Sequence, residues 1–162
     1  MKYENIVRCC FSTKREQIMH FHQDIEIIYV LDGELQINYE EESHHLNAED
    51  FILINSKVRH EYFSEEEVLF GSLFIDYTML TEIFGGEQPF FWCNSAEEKS
   101  ESYEKMRYYI RQIFNLYQAT EGQAIALKNS IYYQLIYLIT SDFIVKKGMK
   151  QYDSLRGLQD ER

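Results

Sequence analysis

The sequence predicts a small, mainly β barrel or sandwich followed by a pair of helices. Three observations carry this. Short β-branched and aromatic runs separated by polar turns fill the chain up to about residue 78. Apolar residues then recur at intervals of three and four. Between these regions stand Gly85, Gly86 and Pro89, the only proline in the chain.

The strand half begins with a hairpin signal. Ile25–Leu31 and Glu34–Tyr39 flank an Asp32–Gly33 pair, which favours a tight turn. Glu40–Ser43 reads as a second polar turn, leading into a short strand around His44–Leu46. Phe51–Asn55, Arg59–Phe63 and Val68–Asp76 read as further strands, and Glu65–Glu67 as a solvated acidic turn. Short strands at this spacing build a sandwich or barrel.

Thr78–Phe84 reads as a short helix. Ser95-Ala-Glu-Glu98 has capping-box spacing and predicts a helix from there to about Ala119. Tyr103, Met106, Ile110, Ile113 and Tyr117 give that helix one apolar stripe. A longer helix is expected over Gln123–Lys147. It carries Leu127, Ile131, Leu135 and Leu138 on one stripe, and Ile125, Tyr132, Ile136, Ile139 and Phe143 on another. One stripe suffices to pack a helix on its own domain. The surplus predicts a homodimer with Leu127, Ile131, Leu135 and Leu138 at an antiparallel seam. The polar segment 148–162 reads as a linker, which divides the chain into a barrel over 1–92, helices over 93–147 and the linker.

Composition limits the function classes. With 16 basic and 27 acidic residues among 162, the formal charge is −11. DNA affinity comes mainly from Lys and Arg neutralising phosphates, so these residues are unsuited to binding DNA themselves. No apolar run is long enough to span a bilayer, and the N-terminus lacks a signal-peptide pattern, so no membrane partner is expected. The three cysteines, Cys9, Cys10 and Cys93, do not form a disulfide framework and suggest reduced thiols in the cytoplasm. No G-x-S-x-G, Gly-rich phosphate loop or C-x-x-C is present.

The chemistry-bearing residues are His20, His22, Glu26 and His60. On an extended strand His20 and His22 share a face, and Glu26, an even number of residues on, can share it too. His60, on a later strand, could approach from across a barrel. Three imidazoles and one carboxylate suit a divalent first-row metal with positions left open. They suit equally well the polar lining of a ligand pocket. His44 and His45 fall on opposite faces of a hairpin strand and read as surface residues. Trp92, beside Phe90 and Phe91, could stack on an effector within the ligand pocket or close one end of the barrel as core.

These residues carry a resemblance. H-x-H, three residues, Glu26, six residues, Gly33 is similar to the first cupin motif at its full spacing. The second motif's spacing holds to His60, but Glu49, Asn55 and Lys57 stand where the motif has Gly, Pro and Gly. The run from His20 to Phe63, with E-I-x-Y-V-L-x-G and Ile54–Asn55, resembles the N-terminal domain of AraC-type transcription regulators. The resemblance covers residues 15–77 well, and the helical half in layout only. It implies a cupin barrel (a double-stranded β-helix of jelly-roll type) followed by a helical dimerisation pair. It implies a cytoplasmic, non-enzymatic sensor. A small effector, such as a sugar or other polar metabolite, would bind in the barrel and control a helix-turn-helix domain beyond this chain, through which alone DNA is bound. The alternative is a metal-dependent cupin enzyme, an oxygenase or isomerase, whose case is the His20, His22, Glu26, His60 set.

Overall fold

In the computed structural model, which describes residues 6–159, ten strands and four helices follow one another, with strands dominating up to Ile75 and helices after it. The strands are β1 (Val7–Ser12), β2 (Glu16–His20), β3 (Ile25–Asp32), β4 (Leu35–Asn38), β5 (Ser43–Leu46), β6 (Phe51–Ile54), β7 (His60–Phe63), β8 (Leu69–Ile75), β9 (Phe90–Phe91) and β10 (Ile144–Val145). The helices are α1 (Tyr77–Ile83), α2 (Glu101–Asn115), α3 (Gly122–Asp142) and α4 (Lys150–Gly157).

Two antiparallel four-stranded sheets form the barrel, ordered β1-β8-β3-β6 and β2-β7-β4-β5. β3 is buried on both faces from Ile25 to Val30, which explains why apolar residues fill it on both sides of Glu26. Ile28 and Val30 meet Leu35, Ile37, Leu46 and Ile54 between the sheets. The alternate residues Ile25, Ile27 and Tyr29 join the core shared with the helices. Strand alternation therefore places Glu26 on the same face as Ile28, inside the barrel.

The expected Asp32–Gly33 hairpin is corrected. β3 pairs with β6 and β8, whereas β4 pairs with β5 and β7, so the turn carries the chain from one sheet to the other. Gly33 is required there: its φ is +86°, and a Cβ would lie 2.5 Å from the Glu67 carbonyl oxygen.

Glu49 (φ +74°) and Lys57 (φ +61°) are the non-glycine residues with positive φ among those described. They occupy the two positions at which the resembled motif carries glycine. The turns have kept their left-handed backbone although the residues that adopt it cheaply are gone.

The helices cover the outer face of the first sheet. α2 starts at Ser100, whose side chain accepts from the Tyr103 amide, and not at Ser95. Ser95 is fully buried; its hydroxyl accepts from the Phe51 amide and donates to Asp50. α2 and α3 are antiparallel, with Ser102 near the start of one bonded to Asp142 at the end of the other. At Gly71 a Cβ would meet the Phe114 ring at 2.4 Å, so this glycine lets α2 lie close on β8.

The dimer seam expected on α3 is also corrected. Leu135 is 0% exposed, and Ile131 and Leu138 are buried in the core with α2 and the sheet. Of the four, Leu127 alone is exposed. Sheet and α2 together surround more of α3 than one stripe, so both apolar stripes are largely consumed within the chain. α3 also ends earlier than expected. Ile144–Val145 leave it as β10 and pair with Phe90–Phe91. The segment expected to be an unburied linker contains α4, whose Leu155 packs with Phe90 and Val145. No helix among the described residues is long and apolar enough to cross a membrane.

Candidate metal centre

His20, His22, Glu26 and His60 come together at one place in the barrel. His20 ends β2 and His60 begins β7, and the two are direct register partners. An irregularity between Gln17 and His20 re-aims the end of β2. His22 lies beyond that strand, just before the bend that leads into β3. The histidines thus converge through a bulge and a bend, not through simple alternation along one strand. His60 is buried, His20 and His22 half-buried, and one ligand nitrogen from each lies within 4.8 Å of the others.

Each imidazole is tethered locally. Nδ1 lies 2.9 Å from the Ile18 carbonyl oxygen in His20, 2.8 Å from that of Asp24 in His22, and 2.8 Å from that of Val58 in His60. A carbonyl can only accept, so Nδ1 carries the proton in all three rings. This leaves Nε2 as the nitrogen facing the cluster, the arrangement that fixes ring orientation in metal-ligating histidines.

Glu26 makes the cluster demand a positive charge. Its Oε1 lies 3.1 Å from His22 Nε2 and 3.4 Å from His60 Nε2. The second contact lacks hydrogen-bond alignment, and His60 Nε2 is a buried atom without a hydrogen-bond partner. With both Nδ1 protons committed, neutral rings would turn lone pairs toward a carboxylate. A proton on Nε2 or a cation between the groups removes that repulsion. Burial opposes the charge of Glu26, but His22, His60 and Ser72 outweigh it and hold the carboxyl down at about 2. Burial also disfavours the charged form of His22, but Glu26 prevails and its pKa is raised. His20 is lowered, chiefly by burial. The three histidines fit a divalent first-row ion, and Glu26, beside His22 and His60, lies next to that group of three.

Two further residues shape the site without having been singled out. Ser72 faces Glu26, and the Phe74 ring meets His22 edge-on at 5.5 Å. Both lie on β8, where Ser72 interrupts the apolar run Leu69–Ile75. That lone polar residue was the available signal.

Trp92 does not join the histidines. It packs with Phe90, Val145 and Leu155 at the β9–α4 contact. His44, expected at the surface, is buried, with Nδ1 3.1 Å from Glu97 and Nε2 3.3 Å from Glu42. His45 is exposed as expected. The three cysteines are free. Burial pushes each thiol upward, Cys9 to about 12, which is the opposite of an activated nucleophile.

The family model described as Cupin domain matches residues 8–74, and these residues form a cupin domain. Solved structures of similar fold include a cupin-2 domain containing protein from Shewanella frigidimarina, 23% identical, with a TM-score of 0.42, covering 46% of this chain and 76% of that one. Another is a cupin superfamily protein from Desulfitobacterium hafniense, 12% identical, with a TM-score of 0.41, covering 46% and 72%. A third is the EutQ protein of Clostridium difficile, 17% identical, with a TM-score of 0.38, covering 43% of this chain and 56% of that one. No curated protein matches the chain.

Proposed function

We propose that this chain is the effector-sensing and dimerisation part of an AraC-type transcription regulator, whose barrel site takes a small polar metabolite, with or without a divalent metal held by His20, His22, Glu26 and His60. A bound metal would supply a Lewis-acidic anchor for a polar ligand.

One observation carries the reading: the site is joined to the C-terminal helix by a short bonded route. The Val58 carbonyl accepts from His60 Nδ1, and Val58 itself bridges to Gln159, just beyond α4. Gln159 Nε2 also donates to the Ser56 carbonyl at 2.9 Å. A sensor needs such a route, because a ligand shifts a conformational equilibrium only by binding its two states unequally. Movement of His60 and movement of α4 share Val58.

The dimerisation half of the reading now rests on the outer face of α3. Leu127, Tyr133 and Tyr137 are 51%, 58% and 74% exposed, and Ala126, Ser130 and Gln134 are exposed between them. This face carries no charge in a chain of net charge −11. A second copy, related by a two-fold axis, can cover it without bringing acidic surfaces together.

The second reading is a metal-dependent enzyme, which rests on the same His20, His22, Glu26 and His60 set. Thermal-shift screening of sugars and other polar metabolites, with sedimentation and elemental analysis of the same sample, separates the two. The sensor reading expects a dimer whose melting temperature rises with metabolite concentration. It expects Glu26→Gln to abolish that rise. A monomer stabilised by no metabolite contradicts it, and turnover of a metabolite by metal-loaded protein supports the enzyme.

A further inference from the structure

A cleft lies where α4 meets the short β9–β10 sheet. It measures about 510 Å³ and is bounded by the α1–β9 connection, β10 and α4. That volume lies within the ordinary range for small-molecule sites. The histidine cluster is not among its lining residues.

The walls have two characters. Phe84, Phe90, Val145 and Tyr152 give an apolar, largely aromatic side, in which Phe90 and Tyr152 meet edge-to-face at 5.2 Å. Lys146, Lys147 and Arg156 are the cations that line the cleft, against one acidic residue, Glu87. Three cations against one carboxylate reverse the sign of a chain whose net charge is −11. Among the described residues none of the three cations has an ion-pair partner.

Gln88 also lines the cleft, and its Nε2 is a buried donor without a hydrogen-bond partner among the described residues. An amide left unpaired in this way is costly, and a turn of the side chain toward an acceptor in the cleft would relieve it.

We propose that this cleft binds a small aromatic carboxylate. Its ring would lie against Phe90 and Tyr152, and its carboxylate would face Lys146, Lys147 and Arg156, with Gln88 as an additional donor. The aromatic wall selects against a bare inorganic anion, and the cations select against a neutral aromatic. The site goes beyond the sensor reading and stands whether or not the barrel holds a ligand.

Benzoate is the direct probe, titrated into the ¹⁵N-labelled chain and followed by amide chemical shifts. The expected result is saturable shifts at Phe90, Val145 and Tyr152, with benzamide binding at least about tenfold more weakly, as expected for loss of charge-assisted hydrogen bonds. Arg156→Glu should weaken benzoate by a similar factor. Lys147→Glu, on a different segment, should do the same and serves as the readout if Arg156→Glu loosens α4. Inorganic phosphate should fail to displace benzoate at equal concentration. Benzoate shifts confined to His20–Glu26, equal affinity for benzamide, displacement by equal phosphate, or indifference to both charge reversals would each overturn the proposal.

Discussion

The histidine end of the barrel and the α2–α3 pair are held together in different ways. In the barrel site each imidazole is fixed by a carbonyl two residues away: Ile18 for His20, Asp24 for His22, Val58 for His60. The helices are fixed by contacts distant in sequence: Tyr103, Met106 and Ile110 meet Leu135, Ile136 and Ile139 over Tyr29, Phe51 and Leu73 of the sheet. The site can thus keep its geometry through local hydrogen bonds while the surrounding core supplies stability. Substitutions should therefore separate into those that unfold the chain and those that empty the site.

The largest effect is expected in the helical core. Leu135 is 0% exposed, and Leu135→Ala should cost about 2–5 kcal/mol of stability, measured by chemical denaturation. A loss well below 1 kcal/mol would mean that α3 is not held by this packing. The contrasting substitution is His60→Ala. It should lower Zn²⁺ affinity by more than about 100-fold, since loss of an outer partner alone costs 10–100-fold. Titration calorimetry reads this directly, and unchanged affinity would remove His60 from the ligand set.

This division also decides what could be read from the sequence. The H-x-H, Glu26 and His60 spacings were legible because local tethers and strand register encode them nearly position by position. The cupin barrel was legible from the same motif spacings, whereas β10 and α4 were not. His44 was read as a surface residue because the Glu97 that covers it lies 53 residues away. The Asp32–Gly33 turn was read as a hairpin because nothing local shows that β6 and β8 claim both edges of β3. Ile131, Leu135 and Leu138 were assigned to a seam because periodicity reports how much of a helix is apolar, not which neighbour covers it. The docking of α4 was missed for the same reason: its single buried leucine, Leu155, finds partners only in β9 and β10.

The outer face of α3 sharpens the comparison, because it should affect association without stability. Leu127 is 51% exposed, so Leu127→Asp should leave denaturation nearly unchanged. It should weaken self-association at least about tenfold, since a two-fold seam buries the charge beside its own copy. Sedimentation at several concentrations measures this. An unchanged dimer would place the interface elsewhere.

The smallest effect is expected at Lys57. Its φ of +61° is costly for a residue with a Cβ, and its amide donates to the His22 carbonyl at 2.8 Å. Lys57→Gly removes about 1–2 kcal/mol of left-handed strain. Against this stands about 0.5–1 kcal/mol of added unfolded-chain freedom. A net gain of up to about 1.5 kcal/mol should appear as a slightly higher Tm, with Zn²⁺ affinity unchanged. A lower Tm would show that the left-handed turn is not strained. Glu49→Gly should not give the same gain, because Glu49 also bonds Tyr29 and Arg111.

Val58 and Gln159 should transmit occupancy of the barrel site to α4. Hydrogen exchange of the chain with and without saturating Zn²⁺ tests it most directly. Slower exchange is expected not only around His20–Glu26 but also at Ser56–His60 and across α4, with the α4 component lost in Gln159→Ala. Protection confined to the histidines, with α4 exchanging at the same rate in both states, would contradict it.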